Sequence, residues 1–177
     1  MTFCKHRLVA LLITLLAMSF GASLAYANSY IGLDGTSITI DNTVDKEINP
    51  RGLRLRLGMQ VSRFFDLEAQ FGGGSDETTR SFDELSAVYA GIYLKGYLPL
   101  GRRSAIFALA GPSSVELTQT IGRGKFSDSR TGFSFGFGLE TELLRFLDLS
   151  ADFIRYTLDD DEFSEVSAVN LGIKLYF

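Results

Sequence analysis

The sequence predicts an all-β protein: an eight-stranded antiparallel up-and-down β-barrel preceded by a cleavable signal peptide. Three observations predict it. Residues 1–27 differ in kind from the rest, apolar residues recur with period two through the remainder, and the connections alternate between short and long. No stretch after residue 27 approaches the ~18 consecutive apolar residues of a membrane helix.

The N-terminal segment reads as an address. Lys5, His6 and Arg7 form a basic region, Leu8 to Phe20 is almost wholly apolar, and Ala25-Tyr26-Ala27 puts small residues at both positions a signal peptidase reads. Cleavage is expected after Ala27, with Ala25 as the alternative, giving a signal peptide at 1–27 and a barrel domain at 28–177. Loss of Lys5 and Arg7 takes the formal charge from −4 to −6, which argues against nucleic acid as a partner. The single Cys (Cys4) and the single His (His6) leave with the signal, so the exported chain cannot form wrong disulfides.

Eight strands follow at about 29–38, 52–63, 66–74, 84–98, 104–117, 131–142, 147–157 and 166–177. The first is among the least regular. In the second, Leu53, Leu55, Leu57, Met59 and Val61 alternate with Arg54, Arg56, Gly58, Gln60 and Ser62. Leu67, Ala69 and Phe71 flank Glu68 and Gln70 in the third, and Val88, Ala90, Ile92 and Leu94 flank Tyr89, Gly91, Tyr93 and Lys95 in the fourth. The fifth is apolar on both faces, Ala105, Phe107 and Leu109 against Ile106, Ala108 and Ala110. Phe133, Phe135, Phe137 and Leu139 alternate with Ser134, Gly136, Gly138 and Glu140 in the sixth, and the seventh places Asp152 on the polar face. The eighth is the clearest, with Val169, Leu171, Ile173, Leu175 and Phe177 on one side and Asn170, Gly172, Lys174 and Tyr176 on the other.

Tight connections at 63–65, 99–103 and 143–146 alternate with longer polar ones at 39–51, 75–83, 118–130 and 158–165. Side-chain size decides which face is wet. An eight-stranded barrel has an interior just wide enough to be filled by side chains. The polar face carries Gly, Ser and Ala with Arg54, Arg56, Glu68, Lys95, Glu140, Asp152 and Lys174, while the apolar face is bulky throughout. Bulk therefore belongs outside, in hydrocarbon, and the barrel is transmembrane. Strands of ~9–11 residues tilted by about 45° cross a bilayer. Aromatic residues near strand ends, namely Tyr30, Phe64, Phe65, Tyr97, Phe133, Phe146, Tyr156 and Phe177, are expected to form interfacial girdles. Counting back from the hairpins places Glu140 near Asp152 and Asp152 near Lys174 in one polar network, with Arg54, Arg56, Glu68 and Lys95 supplying other pairs.

The signal peptide, the eight alternating segments and the terminal run from Val169 to Phe177 resemble small bacterial outer-membrane barrels of the OmpA/OmpX-like type. The resemblance spans the mature chain as a pattern and is most specific in the last strand. It implies that Leu171, Ile173, Leu175, Tyr176 and Phe177 are an assembly signal read by the barrel-assembly machinery. It also implies the bacterial outer membrane as location, with membrane lipid and lipopolysaccharide as surroundings and a monomeric state. No peptidoglycan-binding domain is expected after Phe177.

Chemistry is constrained by what the mature chain lacks. Without His or Cys there is no nucleophile–imidazole pair and no typical zinc site, although a Ser–Lys or paired-carboxylate site stays formally open. Gly122-Arg123-Gly124-Lys125 and Gly136-Phe137-Gly138 lack the spacing of phosphate loops. No cofactor is expected. The acidic run Asp159-Asp160-Asp161-Glu162 is read as a solvated loop tip, with divalent-cation binding as the alternative. The inward charges either lock the lumen or gate it. The leading role is structural or surface-interactive, adhesin-like contact through the connections at 39–51 and 118–130, and non-enzymatic. A small-solute pore and a soluble periplasmic lipid-binding barrel are the rivals.

Overall fold

The computed structural model describes residues 29–40, 50–76, 84–121, 124–158 and 166–177. Alternation is converted into eight strands: β1 (Ser29–Ile40), β2 (Arg51–Ser62), β3 (Phe65–Asp76), β4 (Glu84–Pro99), β5 (Ser104–Ile121), β6 (Gly124–Leu144), β7 (Leu147–Leu158) and β8 (Val166–Tyr176). Each pairs antiparallel with its neighbours in sequence, and β1 closes on β8 from Tyr30↔Tyr176 to Ile40↔Val166, so the sheet has no free edge along the barrel. The signal-peptide residues with Ala25 and Ala27, most of the 39–51 connection and the acidic run at 159–162 lie outside the described residues.

The short turns share a local recipe. Arg63-Phe64 joins β2 to β3 and Arg145-Phe146 joins β6 to β7, each beside a register shift, at Gln60/Ser62 and at Glu142/Leu144. The sequence repeats there too: Arg63-Phe64-Phe65-Asp66-Leu67 against Arg145-Phe146-Leu147-Asp148-Leu149. Between β4 and β5, Gly101 takes φ 97°, a left-handed conformation that favours glycine, and Leu100 N–H donates to the Ser104 carbonyl at 2.8 Å. Inside β5, Pro112 has no N–H to give. The β4–β5 register is accordingly interrupted between Gly91↔Ser113 and Leu94↔Ala110.

The faces separate as the side-chain sizes require. Leu53, Phe71, Phe137 and Leu171 are 63%, 59%, 65% and 60% exposed, whereas Arg54, Arg56, Lys95 and Lys174 are each 0% exposed. Such an arrangement is inside-out for water and suits hydrocarbon. The lipid-binding soluble barrel, which needs the bulky rows to converge on one another, is therefore excluded.

One expectation fails. The 118–130 connection is not a loop: β5 runs to Ile121 and β6 starts at Gly124, with pairing unbroken to Ile121↔Gly124. Beyond the last β6–β7 pair, Gly132↔Leu158, this hairpin rises past the β7 rim. Apolar alternation is absent from the sequence there, while Thr118, Thr120 and Ile121 still favour extended backbone.

Candidate functional site in the barrel lumen

Each strand sends every second side chain inward, and the lumen these side chains fill has two layers. Toward the short turns it is ionic. Asp34 of β1 is held between two guanidiniums, with Arg54 Nε donating at 2.8 Å and Arg56 Nη2 at 2.5 Å. Arg54 turns its other two nitrogens on Asp152, at 3.0 and 2.5 Å, a two-pronged pairing that fixes orientation as well as charge. Asn170 Nδ2 donates to the same carboxylate at 2.8 Å. Arg56 also donates to Ser150 Oγ at 2.6 Å and lies 4.0 Å from Glu140.

Glu140 is the hub of the second cluster. It takes an ion pair from Lys95 and another from Lys174 at 2.8 Å. Lys95 also approaches Glu68 at 3.6 Å, and Glu68 accepts from Tyr30 Oη at 2.5 Å and from Gln70 Nε2 at 2.7 Å. Aromatic faces complete the shells of both lysines: Lys95 Nζ lies 3.7 Å from the Phe107 centroid and Lys174 Nζ 4.0 Å from that of Tyr30. The contacts run continuously through four cations (Arg54, Arg56, Lys95, Lys174) and four carboxylates (Asp34, Glu68, Glu140, Asp152), so the charges of this linked network balance, while the buried Asp66 stands outside it and accepts from Tyr97.

Toward the long connections the lumen is largely apolar. Ile38, Tyr89, Tyr93, Leu109, Val115, Ile154, Tyr156 and Val166 form one buried cluster with Phe107, Ala87 and Ala168. Tyr89 and Tyr156 stack with centroids 5.3 Å apart. Above the ionic layer, then, the barrel is filled by an aromatic and aliphatic stopper.

Several sequence expectations need correction. Asp152 does not neighbour Lys174: its register partner on β8 is Asn170, while Lys174 faces Asp148. Glu140 likewise sits opposite Ser150, and Asp152 opposite Gly138. The offset from the expected pairing is two residues between β6 and β7, where a register shift at Glu142/Leu144 lies beside the turn, and four residues between β7 and β8. Tyr30, Tyr97 and Tyr156 are not girdle residues. Tyr30 and Tyr156 are buried in the lumen, and Tyr97 faces inward to donate to Asp66 at 2.6 Å. Phe64, Phe65, Phe133, Phe146 and Phe177 are exposed on the outer side, where a girdle belongs.

Sequence reading missed Asp34, Tyr30 as a lumen donor, Gln70, Ser150 and Asn170. The signal for Asp34 was present, since Ile31 and Leu33 alternate with Gly32 and Asp34. For the tyrosines it was not, because a ring with a hydroxyl suits either a headgroup belt or a polar lumen. Leu171, Ile173, Leu175 and Phe177 line the outer face of β8 and its end, and Tyr176 points inward, 5.4 Å from Tyr30.

A family model described as outer membrane protein beta-barrel domain matches residues 8–177. A search of curated proteins finds no match. Among solved structures, the chain is similar to Ail, the attachment invasion locus protein of Yersinia pestis, at 18% identity and a TM-score of 0.67 over 85% of this chain and 99% of that one. It is similar to Neisserial surface protein A at 11% identity, with a TM-score of 0.72 over 84% and 97% of the two chains. The N-terminal β-barrel domain of Pseudomonas aeruginosa OprF gives 10% identity and a TM-score of 0.65 over 85% and 99%. At these identities the likeness is one of fold.

Proposed function

The chain belongs to the outer membrane protein beta-barrel family and is a protein of the bacterial outer membrane, and from that premise we propose that it is a non-conducting, non-enzymatic barrel working by surface contact. The observation that carries this reading is the filled lumen. A layer of interlocked ion pairs below an aromatic stopper supports a structural lock, because an ion crossing it would have to break desolvated pairs and then traverse an apolar plug. Planar-bilayer recording should show no conductance steps, and stable openings would overturn the lock.

The contact surface is the end carrying the long connections. There the β5–β6 hairpin stands above the β7 rim. In the sequence of the neighbouring connections, Asp41, Asp45, Glu47, Glu77, Asp83 and the 159–162 run outnumber Lys46, Arg80 and Arg123. Acidic connections favour a basic partner, or one bridged through divalent cations, over a sulfated polymer. Ail differs here, having been solved in complex with the heparin analogue sucrose octasulfate. Cells displaying the barrel should attach better to an immobilised basic protein than to heparin. Preference for heparin, or attachment no better than that of cells lacking the barrel, would overturn the proposal.

The remaining parts of the reading are biogenetic. Residues 1–27 are removed after Ala27 or Ala25, and Leu171, Ile173, Leu175, Tyr176 and Phe177 are presented to the barrel-assembly machinery. A closed sheet with no free edge is consistent with a monomer.

A further inference from the structure

The outer wall is not uniformly bulky. One row crosses four strands as Phe65↔Gly96↔Ala108↔Phe137, so two of the smallest side chains lie between two large ones. The backbones of Phe65 and Phe137 stand three strand spacings apart, roughly 14 Å, and the Phe65 ring leans toward Gly96. Between them lies an apolar notch of about 530 Å³, extended toward the short turns by Leu98 and Ile106.

Below the notch every short turn carries arginine. Arg102 and Arg103 lie in the β4–β5 turn under its middle, Arg63 in the β2–β3 turn on one side, and Arg145 in the β6–β7 turn on the other. All four line a cavity of about 470 Å³ at the barrel mouth, and Tyr97 lines both that cavity and the notch. Among the described residues none of the four forms an ion pair, though Arg63 lies over the Phe64 ring at 5.8 Å. Carboxylates line the cavity as well. Glu140 is already engaged by two lysines and Asp66 by Tyr97, and Tyr176 is within hydrogen-bonding reach of Asp148, which leaves Glu142.

We propose that this wall is a binding site for an anionic phospholipid, its chains in the Gly96–Ala108 notch and its phosphate at Arg102 and Arg103 in the turn directly below. Guanidinium suits phosphate because its planar fork donates two parallel hydrogen bonds. An apolar notch on the outer wall and unpaired cations in the turn below it match the two halves of that molecule. The short-turn end of such a barrel faces the periplasm, where the leaflet is phospholipid. The inference rests on the membrane assignment and is independent of the surface-contact proposal.

Native mass spectrometry of the detergent-solubilised barrel tests it, with phosphatidylglycerol, phosphatidylcholine of the same chains, and lipopolysaccharide supplied in separate arms. The wild type should retain phosphatidylglycerol over the other two. The R102Q/R103Q double variant should lose that preference, about fivefold for each arginine removed. Ala108→Phe should release both phospholipids by filling the notch. Equal retention of the phospholipids by the wild type, stronger retention of lipopolysaccharide, or variants that behave as the wild type would each overturn the site. The shift of each variant's gel band on boiling shows whether the barrel is folded, so a lost lipid is not confused with a lost fold.

Discussion

Tyr30 and Tyr156 are both buried lumen tyrosines, yet their hydroxyls are in opposite situations. Tyr30 Oη donates to Glu68 at 2.5 Å, and Gly58 makes room for the ring, since a Cβ at that position would collide with it. Tyr156 Oη is buried in the apolar layer with no hydrogen-bond partner. A hydrogen bond to a charged group contributes about 1.5–3 kcal/mol, and a buried hydroxyl without one costs about 1–3 kcal/mol. Tyr30→Phe should therefore destabilise the barrel by about 2 kcal/mol, while Tyr156→Phe should leave it unchanged or stabilise it by about 1 kcal/mol. Urea unfolding in lipid vesicles, followed by tyrosine fluorescence because the chain has no Trp, measures both. Equal losses in the two variants would mean that ring packing, and not the hydroxyl, sets their contribution. Neither role could be read from sequence, where both residues were assigned to the headgroup belt. Alternation gives the face of a residue only once the strand register is known.

At the scale of the element, legibility followed the environment of each face. Strands β2, β6 and β8 were visible because one side meets hydrocarbon and the other a polar lumen, which enforces period two. The upper part of the β5–β6 hairpin lacks that alternation, so Thr118-Gln119-Thr120 looks like a loop. Its pairing survives because backbone hydrogen bonds to the adjacent strand do not require apolar side chains. Contact and barrel stability should consequently be separable. Replacing residues 118–127 by a short Asn-Gly turn joins the register partners Leu117 and Asp128 above the last β6–β7 pair. The shortened barrel should keep its gel shift and its unfolding free energy to within about 1 kcal/mol, because none of the lumen side chains described above lies in the removed segment. Attachment to the basic surface should fall to background. A trimmed barrel that attaches as well as the wild type would move the contact surface to the other connections.

Over the whole molecule the decisive quantity is charge balance in a buried interior. Inward charges were legible from their alternation with Leu and Phe, and so was the need to pair them. The partners were not. Closure of the barrel brings β2 against β7 across the lumen, so Arg54 reaches Asp152, 98 residues away, through a tilt and stagger that no local pattern encodes. Lys174 tests whether the network locks or gates. Its loss in Lys174→Met leaves Glu140 with Lys95 and a distant Arg56, and leaves the ion-pair network with one uncompensated negative charge. Breaking a buried pair from one side costs about 3–5 kcal/mol, and the remaining Lys95 contact holds the expected loss to about 3 kcal/mol. A lock predicts that this loss appears wholly as a lower unfolding midpoint with no conductance steps in a planar bilayer, since Tyr89, Tyr93 and Tyr156 still fill the layer beyond. A gate predicts cation-selective openings in the variant at little cost in stability. Recording both quantities on the same preparation separates the two, and openings without destabilisation would sink the lock.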